Sequence, residues 1–290
     1  MIFSNDDIRR EYERISKENP DIEGLNHPLI NVSDTLRAYF CLADYFTDES
    51  SNTMESMLIG VRSMDLLYSA IGRQVVSFGN RKKYTNPIDI CSTLFYGMVK
   101  NHSFSDGNKR TALLVLVYQL DLYNYLPANG VSVREFEKLV VSVAADTLPT
   151  EYRSVWKKYE DKEDTIIYTI AHILRKMTKK KDHSYHVDMT MQDMVNALKS
   201  QSVKCIPDGG KIHFERTIPA KWFRPEEKLK YSTVFGGWTR SIGASTAREI
   251  LTALKLYDQF PDYQSFVDGN DTFYSIIQKF ELPLIRLKDK

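Results

Sequence analysis

Residues 100–120 read KNHSFSDGNKRTALLVLVYQL. A histidine, an acid and a Gly-Asn-Lys-Arg cluster fall between His102 and Arg110, and a strongly apolar run follows from Thr111. That run is apolar on nearly every helical face, so it is expected to be a helix at the centre of a domain. The polar cluster then becomes the loop that leads into the N-terminus of a buried helix. Backbone N–H groups at such an end, with the helix dipole behind them, attract anions and phosphate above all.

Each residue type in the loop suits that chemistry. Gly107 has no Cβ and lets the backbone approach a ligand closely. Asn108 can donate a side-chain hydrogen bond or cap the helix. Lys109 and Arg110 add charge, and an arginine can hold two phosphate oxygens. Basic residues in a first helical turn oppose the dipole unless an anion is present. Asp106 is a hard oxygen ligand suited to Mg²⁺ on nucleotide phosphates. Histidine is the side chain that changes charge near neutral pH, so His102 can take a proton from an attacking hydroxyl. Phe104 reads as an apolar anchor for the loop. A base, a metal ligand and a phosphate cradle with no required nucleophile suit phosphoryl or nucleotidyl transfer to a hydroxyl.

Working outward, Leu36, Tyr39, Phe40, Ala43 and Phe46 recur at helical spacing, with Ser33 as the expected N-cap. Residues 54–72 carry a similar pattern through Met57, Val61, Met64, Leu67, Tyr68 and Ile71. QVVSFGNRKKYT predicts a hairpin around Gly79-Asn80. Pro87 opens the helix before the motif. Ser132 and Glu135 form a capping box for the next one, and a long helical pattern runs from about 150 to 178. The lysines at 179–181 read as a solvated helix end and the boundary of a domain. Beyond them, Thr190 caps a short helix and VKCIPDGGKIHFER predicts two strands around Asp208-Gly209-Gly210. Residues 245–256 and 271–280 are expected to be helical. Trp238, beside Gly236-Gly237 and Arg240, reads as the core tryptophan of a structural turn. His183 and His186 read as linker rather than as a metal clip.

The composition narrows the class further. The formal net charge is +1, without the excess of Lys and Arg that a nucleic-acid binder shows. Aromatic residues make up 12% of the chain, which argues against extensive disorder. Cys41, Cys91 and Cys205 are far apart and lack metal-ligand spacing, so reduced thiols are expected. The first residues hold no apolar signal core and the longest apolar run is too short to cross a bilayer. A cytoplasmic protein without membrane or nucleic-acid partners is expected.

HSFSDGNKR resembles the Fic/Doc family signature, in which His, Phe, an acid, Gly or Ala, Asn, Gly or Lys, and Arg stand at these positions. The stretch GVRSMDLLYSAIGRQVVSFGNRKKYTNPIDICSTLFYGMVKN before it is similar to the death-on-curing (Doc-like) branch, and the likeness covers about residues 33 to 150. It implies a Fic-type helical core with a β-hairpin flap; together with the element pattern on either side, the chain is expected to be mainly α, with that core at 33–182, a helical extension at 1–32 and a small α+β domain at 183–290. It also implies His102 as general base, Asp106 as the Mg²⁺ ligand, and Gly107, Asn108, Lys109 and Arg110 as the phosphate-holding loop. Phe78 and Gly79 would lie in the flap that aligns a target segment by strand addition. ATP would be the donor, and a Ser, Thr or Tyr hydroxyl of a protein the acceptor. Lys109 replaces a glycine, and Leu113 an arginine, of the nucleotidyl-transferring pattern. Both replacements are shared with the Doc-like branch and favour phosphoryl transfer over AMP transfer, with a non-catalytic nucleotide-binding protein as a further alternative. The inhibitory [ST]-x-x-x-E-[GN] signature is not matched at Ser51–Ser56 or Ser245–Ile250. Restraint is therefore expected from a separate antitoxin, as in a toxin–antitoxin pair, or from a diverged form of that helix.

Overall fold

A computed structural model of the chain describes residues 3–47, 57–180, 189–218, 226–256 and 272–288. The expected linker histidines His183 and His186, and the stretch from Ser51 to Ser56, lie outside the described residues. Contacts divide the chain into two units, one of residues 2–181 with 276–290 and one of residues 182–275. No described helix is long and apolar enough to cross a membrane.

The helical unit begins with α1 (Asp6–Glu18) and α2 (Val32–Thr47). It continues with α3 (Met64–Gly72) and a two-residue hairpin, β1 (Ser77–Phe78) and β2 (Arg81–Lys82). At its centre lie α4 (Pro87–Lys100) and α5 (Asn108–Leu122). Pro87 occupies the first turn of α4, where its missing N–H costs nothing, and Asn86 caps it by accepting from Ile88 N at 3.0 Å. Ten residues of α5 are buried, including everything from Arg110 to Leu116, as its all-round apolar pattern requires. It packs against α2, α4 and α6 (Val133–Ala144). The buried amides cross-link this centre. Gln119 Nε2 donates to Gln74 Oε1 at 2.7 Å, and Gln74 Nε2 donates to the carbonyls of Ile30 and Ile71, both at 2.9 Å. Gly97 lets α4 approach α3, because a Cβ there would lie 2.7 Å from Arg73 Cδ and 3.1 Å from Ala70 Cα.

Several expectations change. Ser33 does not cap α2: Asn31 Oδ1 accepts from Val32 N at 2.9 Å, and Ser33 Oγ instead donates to Asp21 at 2.8 Å. The helix expected over 54–72 starts only at Met64. Ser63 caps it, and residues 57–62 form no helix; Val61 instead bridges Phe104 of the motif loop. The pattern over 150–178 breaks into α7 (Leu148–Glu151), α8 (Arg153–Trp156) and α9 (Thr165–Met177). The run KKYEDKED between the last two is mostly exposed and forms turns. Lys179 and Lys180 are not a helix end: β4 (Thr178–Lys180) pairs antiparallel with β3 (Tyr125–Pro127). The capping box at Ser132 and Glu135 forms as expected.

The second unit is built from α10 (Met191–Ser200), β5 (Lys204–Asp208), β6 (Lys211–Ile218), β7 (Glu227–Val234) and α11 (Ala244–Ala253). Thr190 closes a capping box with Asp193 at the start of α10. The three strands form one antiparallel sheet in the order β5-β6-β7, with Asp208 opposite Lys211 across the expected Gly209-Gly210 turn. Ile212 and Phe214 of β6 face a core shared with Val195, Leu198, Ile250 and Leu254. The third strand was not anticipated, although LKYSTV alternates. Trp238 sits in a turn whose carbonyl accepts from Gln192 N at 3.0 Å, but it is 39% exposed and leans on Phe235, so it is not a core residue.

The last two helices, α12 (Thr272–Lys279) and α13 (Glu281–Arg286), complete the chain. The sequence boundary assigned all of 183–290 to the C-terminal domain, yet residues 276–290 count with the helical unit. Phe280 packs edge-on against Phe136 at 5.8 Å, Arg286 donates from Nε to the buried Glu137 carboxylate at 2.8 Å, and the Tyr45 hydroxyl donates to Glu281 Oε1 at 2.8 Å. An apolar anchor and a buried carboxylate that needs a cation hold this segment there.

Candidate functional site

The motif loop runs from the end of α4 to Gly107, the residue preceding α5. Its floor is Phe104, which is 1% exposed and lies parallel to the Tyr39 ring at a centroid distance of 4.1 Å. Burying such a ring contributes about 1.5–3 kcal/mol, so the anchoring role read from the sequence is observed. Tyr39 is fixed in turn: Gly60 N donates to its hydroxyl at 2.8 Å. Burial pushes that hydroxyl up to about 12, so it stays neutral.

The stretch before α3 forms the second wall. Ser105 N donates to Gly60 O at 2.9 Å, and Arg62 N donates to Ser103 O at 2.8 Å. Val61 and Phe104 form an antiparallel bridge. This wall was hidden in the sequence because Met57, Val61 and Met64 happen to fall at helical spacing.

Asn108 closes the loop on itself. Its Oδ1 accepts from Phe104 N at 2.9 Å and its Nδ2 donates to Phe104 O at 2.8 Å. The amide expected to reach toward phosphate, or to cap the helix, thus shapes the loop. Gly107 sits at φ +76°, in the left-handed region, and a Cβ there would lie 2.5 Å from Met57 Cε. Gly107→Ala is therefore expected to lower stability by about 1–2 kcal/mol, the cost of a strained left-handed residue, with the loss read as a lower urea midpoint at unchanged m value.

Two charged groups meet at the start of α5. Arg110 is 1% exposed, and its Nη2 lies 3.2 Å from Asp106 Oδ2. Its guanidinium stands 5.3 Å from the centroid of the Phe46 ring. Asp106 Oδ1 accepts from Gly107 N. The acid supplies the anion that the cationic first turn of α5 lacks, and it takes one of the backbone N–H groups expected to face a ligand. Lys109 is half-buried beside it. His102 is exposed and has φ +50°, a conformation uncommon outside glycine. The strain lies at the residue expected to do the proton chemistry, as is common at functional sites.

The fit to a magnesium nucleotide can be judged from these donors. Among the described residues no group of three His, Cys, Asp or Glu side chains could hold a metal ion by itself. Asp106 alone offers carboxylate oxygens at the loop, and its side chain is 36% exposed. One carboxylate, with phosphates and waters filling the other positions, is a usual arrangement for Mg²⁺. The residues present therefore fit magnesium carried in with a nucleotide and do not form a resident protein cage.

The expected flap is a real hairpin. Ser77 pairs with Lys82 and Phe78 with Arg81, while Gly79 turns at φ +59°. Phe78 is 66% exposed at its tip. The root is tied down: Lys83 N donates to Val76 O at 2.8 Å, and Lys83 Nζ lies 2.6 Å from Asp164, whose carboxylate also accepts from the Tyr84 hydroxyl at 2.8 Å. A fixed root and an exposed two-residue ladder leave backbone groups available to a third strand.

Residues 33–120, from the start of α2 to the end of α5, match the model of the Fic/DOC family. The match includes His102, Asp106, Gly107, Asn108, Lys109, Arg110 and the hairpin. The fold around it is mainly α, a Fic-type helical core with a small hairpin. Comparisons with curated proteins and with solved structures each returned no match.

Proposed function

We propose that the protein transfers the γ-phosphoryl group of ATP to a Ser, Thr or Tyr hydroxyl of a target protein. One observation carries the reading: an exposed histidine stands on the same short loop as a half-exposed carboxylate, which pairs with a buried guanidinium in the first turn of α5. In this reading Arg110 and the α5 N-terminus hold the phosphates, and Asp106 is the residue that would hold magnesium, which when bound offsets phosphate charge. His102 accepts the hydroxyl proton. The target oxygen bonds to the γ-phosphorus, the bond from that phosphorus to the bridging oxygen breaks, and ADP leaves. The open hairpin at Phe78 and Gly79 receives the target as an added strand.

Phosphoryl transfer is preferred over AMP transfer because α5 presents Lys109 at the loop, while Leu113 is fully buried and no second arginine stands in its place. The discriminating experiment incubates purified protein and bacterial lysate with ATP labelled at either the α or the γ position. Label from the γ position alone supports the reading. Label from the α position overturns it in favour of nucleotidyl transfer. Nucleotide binding without any label on protein makes the chain a non-catalytic binder.

A further inference from the structure

The Arg110 guanidinium has an aromatic ring on one side, and that ring does not stand alone. Phe46, 1% exposed, lies in the last turn of α2, next to Tyr45. The two rings meet edge-on at 5.3 Å and 80°. The Tyr45 hydroxyl donates to Glu281 Oε1 at 2.8 Å. Glu281 opens α13, which is secured independently on α6 by Arg286 with Glu137 and by Phe280 with Phe136. Contacts thus run without a gap from the C-terminal helix to the anion site: Glu281, Tyr45, Phe46, Arg110, Asp106.

Physical reasons favour a functional part for this arrangement. The last turn of a helix has unpaired carbonyls and frays easily. Phe46 occupies such a turn, yet a buried guanidinium depends on its ring face. Arginine has many rotamers, and fixing it before a ligand arrives removes an ordering cost from binding. The Tyr45 hydroxyl is pushed up to about 12 by burial and by Glu281, so it remains a donor through the physiological range.

We propose that the C-terminal helix pre-positions the phosphate-binding arginine, with Tyr45 and Phe46 as positioning residues and Glu281 as their tether. The proposal rests on the reading of Arg110 as a phosphate holder. It adds that residues after 275, distant in sequence from the motif, set how tightly the site takes a nucleoside triphosphate.

The test uses full-length protein and two readouts, solvent exchange of the Arg110 side-chain Nε–H by NMR and Mg-ATP affinity by titration calorimetry. Tyr45→Phe removes one oxygen and leaves the packing intact. It is expected to speed the exchange and weaken Mg-ATP roughly three- to tenfold, the effect of one hydrogen bond. Glu281→Ala should match it, Glu281→Gln should restore most of the loss because its carbonyl still accepts the bond, and the double variant should be no worse than either single one. Unchanged Arg110 exchange in both Tyr45→Phe and Glu281→Ala overturns the proposal. Failure of the wild-type protein to bind Mg-ATP overturns the functional reading instead, and the exchange measurement still decides the positioning.

Discussion

His102→Ala is expected to lower transfer to the target by about 10²–10⁴-fold, the range contributed by a positioned general base, while Mg-ATP still binds. The imidazole is exposed and touches none of the hydrogen bonds that shape the loop, which are made by Asn108, Gly60 and Arg62. Losing it removes a proton acceptor and little else. The backbone sharpens the test. His102 sits at φ +50°, so alanine retains the left-handed strain and glycine relieves it. His102→Gly should therefore be more stable than His102→Ala by about 0.5–1 kcal/mol, with both equally inactive. Paired urea titrations and labelled-ATP assays would show it. Full activity in either variant would remove His102 from the mechanism.

Asn108→Ala is expected to cost stability as well as activity. Two hydrogen bonds hold the Phe104 backbone N–H and C=O, and Phe104 is buried. Removing the amide leaves both groups without their partner, at about 1–3 kcal/mol for each. Chemical denaturation should lose about 2–6 kcal/mol by the same arithmetic, and the Phe104 amide should exchange quickly with solvent. Asn108→Asp separates the two bonds, because it can still accept from Phe104 N but places an oxygen against Phe104 O. It should fall between wild type and alanine in stability. A loop that keeps its protected Phe104 amide in Asn108→Ala would show that the clamp does not hold it.

The part of the fold legible in the sequence was the part governed by local rules. Pro87 starts α4, Gly79-Asn80 turns the hairpin, Ser132 and Glu135 cap α6, and the all-round apolar run from Thr111 places α5 at the centre. Each of these depends on chemistry within a few residues. The misread parts depend on partners far along the chain. Residues 57–62 carry a helix-like pattern but stay out of α3, and Gly60 and Arg62 bond to the motif loop instead. Lys179 and Lys180 look like a helix end but form a strand because Tyr125–Pro127 lies beside them. The same division holds at the site. His102, Asp106 and Arg110 could be singled out from residue types, whereas the support of Tyr39 beneath Phe104 and of Phe46 beneath Arg110 could not. Those two were visible only as apolar positions of α2.

The return of residues 276–290 to the helical unit sets a schedule for biosynthesis. The histidine and its loop are made well before α13, which follows more than a hundred residues after Arg110. At roughly 5–20 residues per second, the nascent chain spends several seconds to tens of seconds with its charged loop made and its closing helix missing. On the positioning proposed above, a nascent chain would hold a nucleotide fully only after this segment has joined the helical unit.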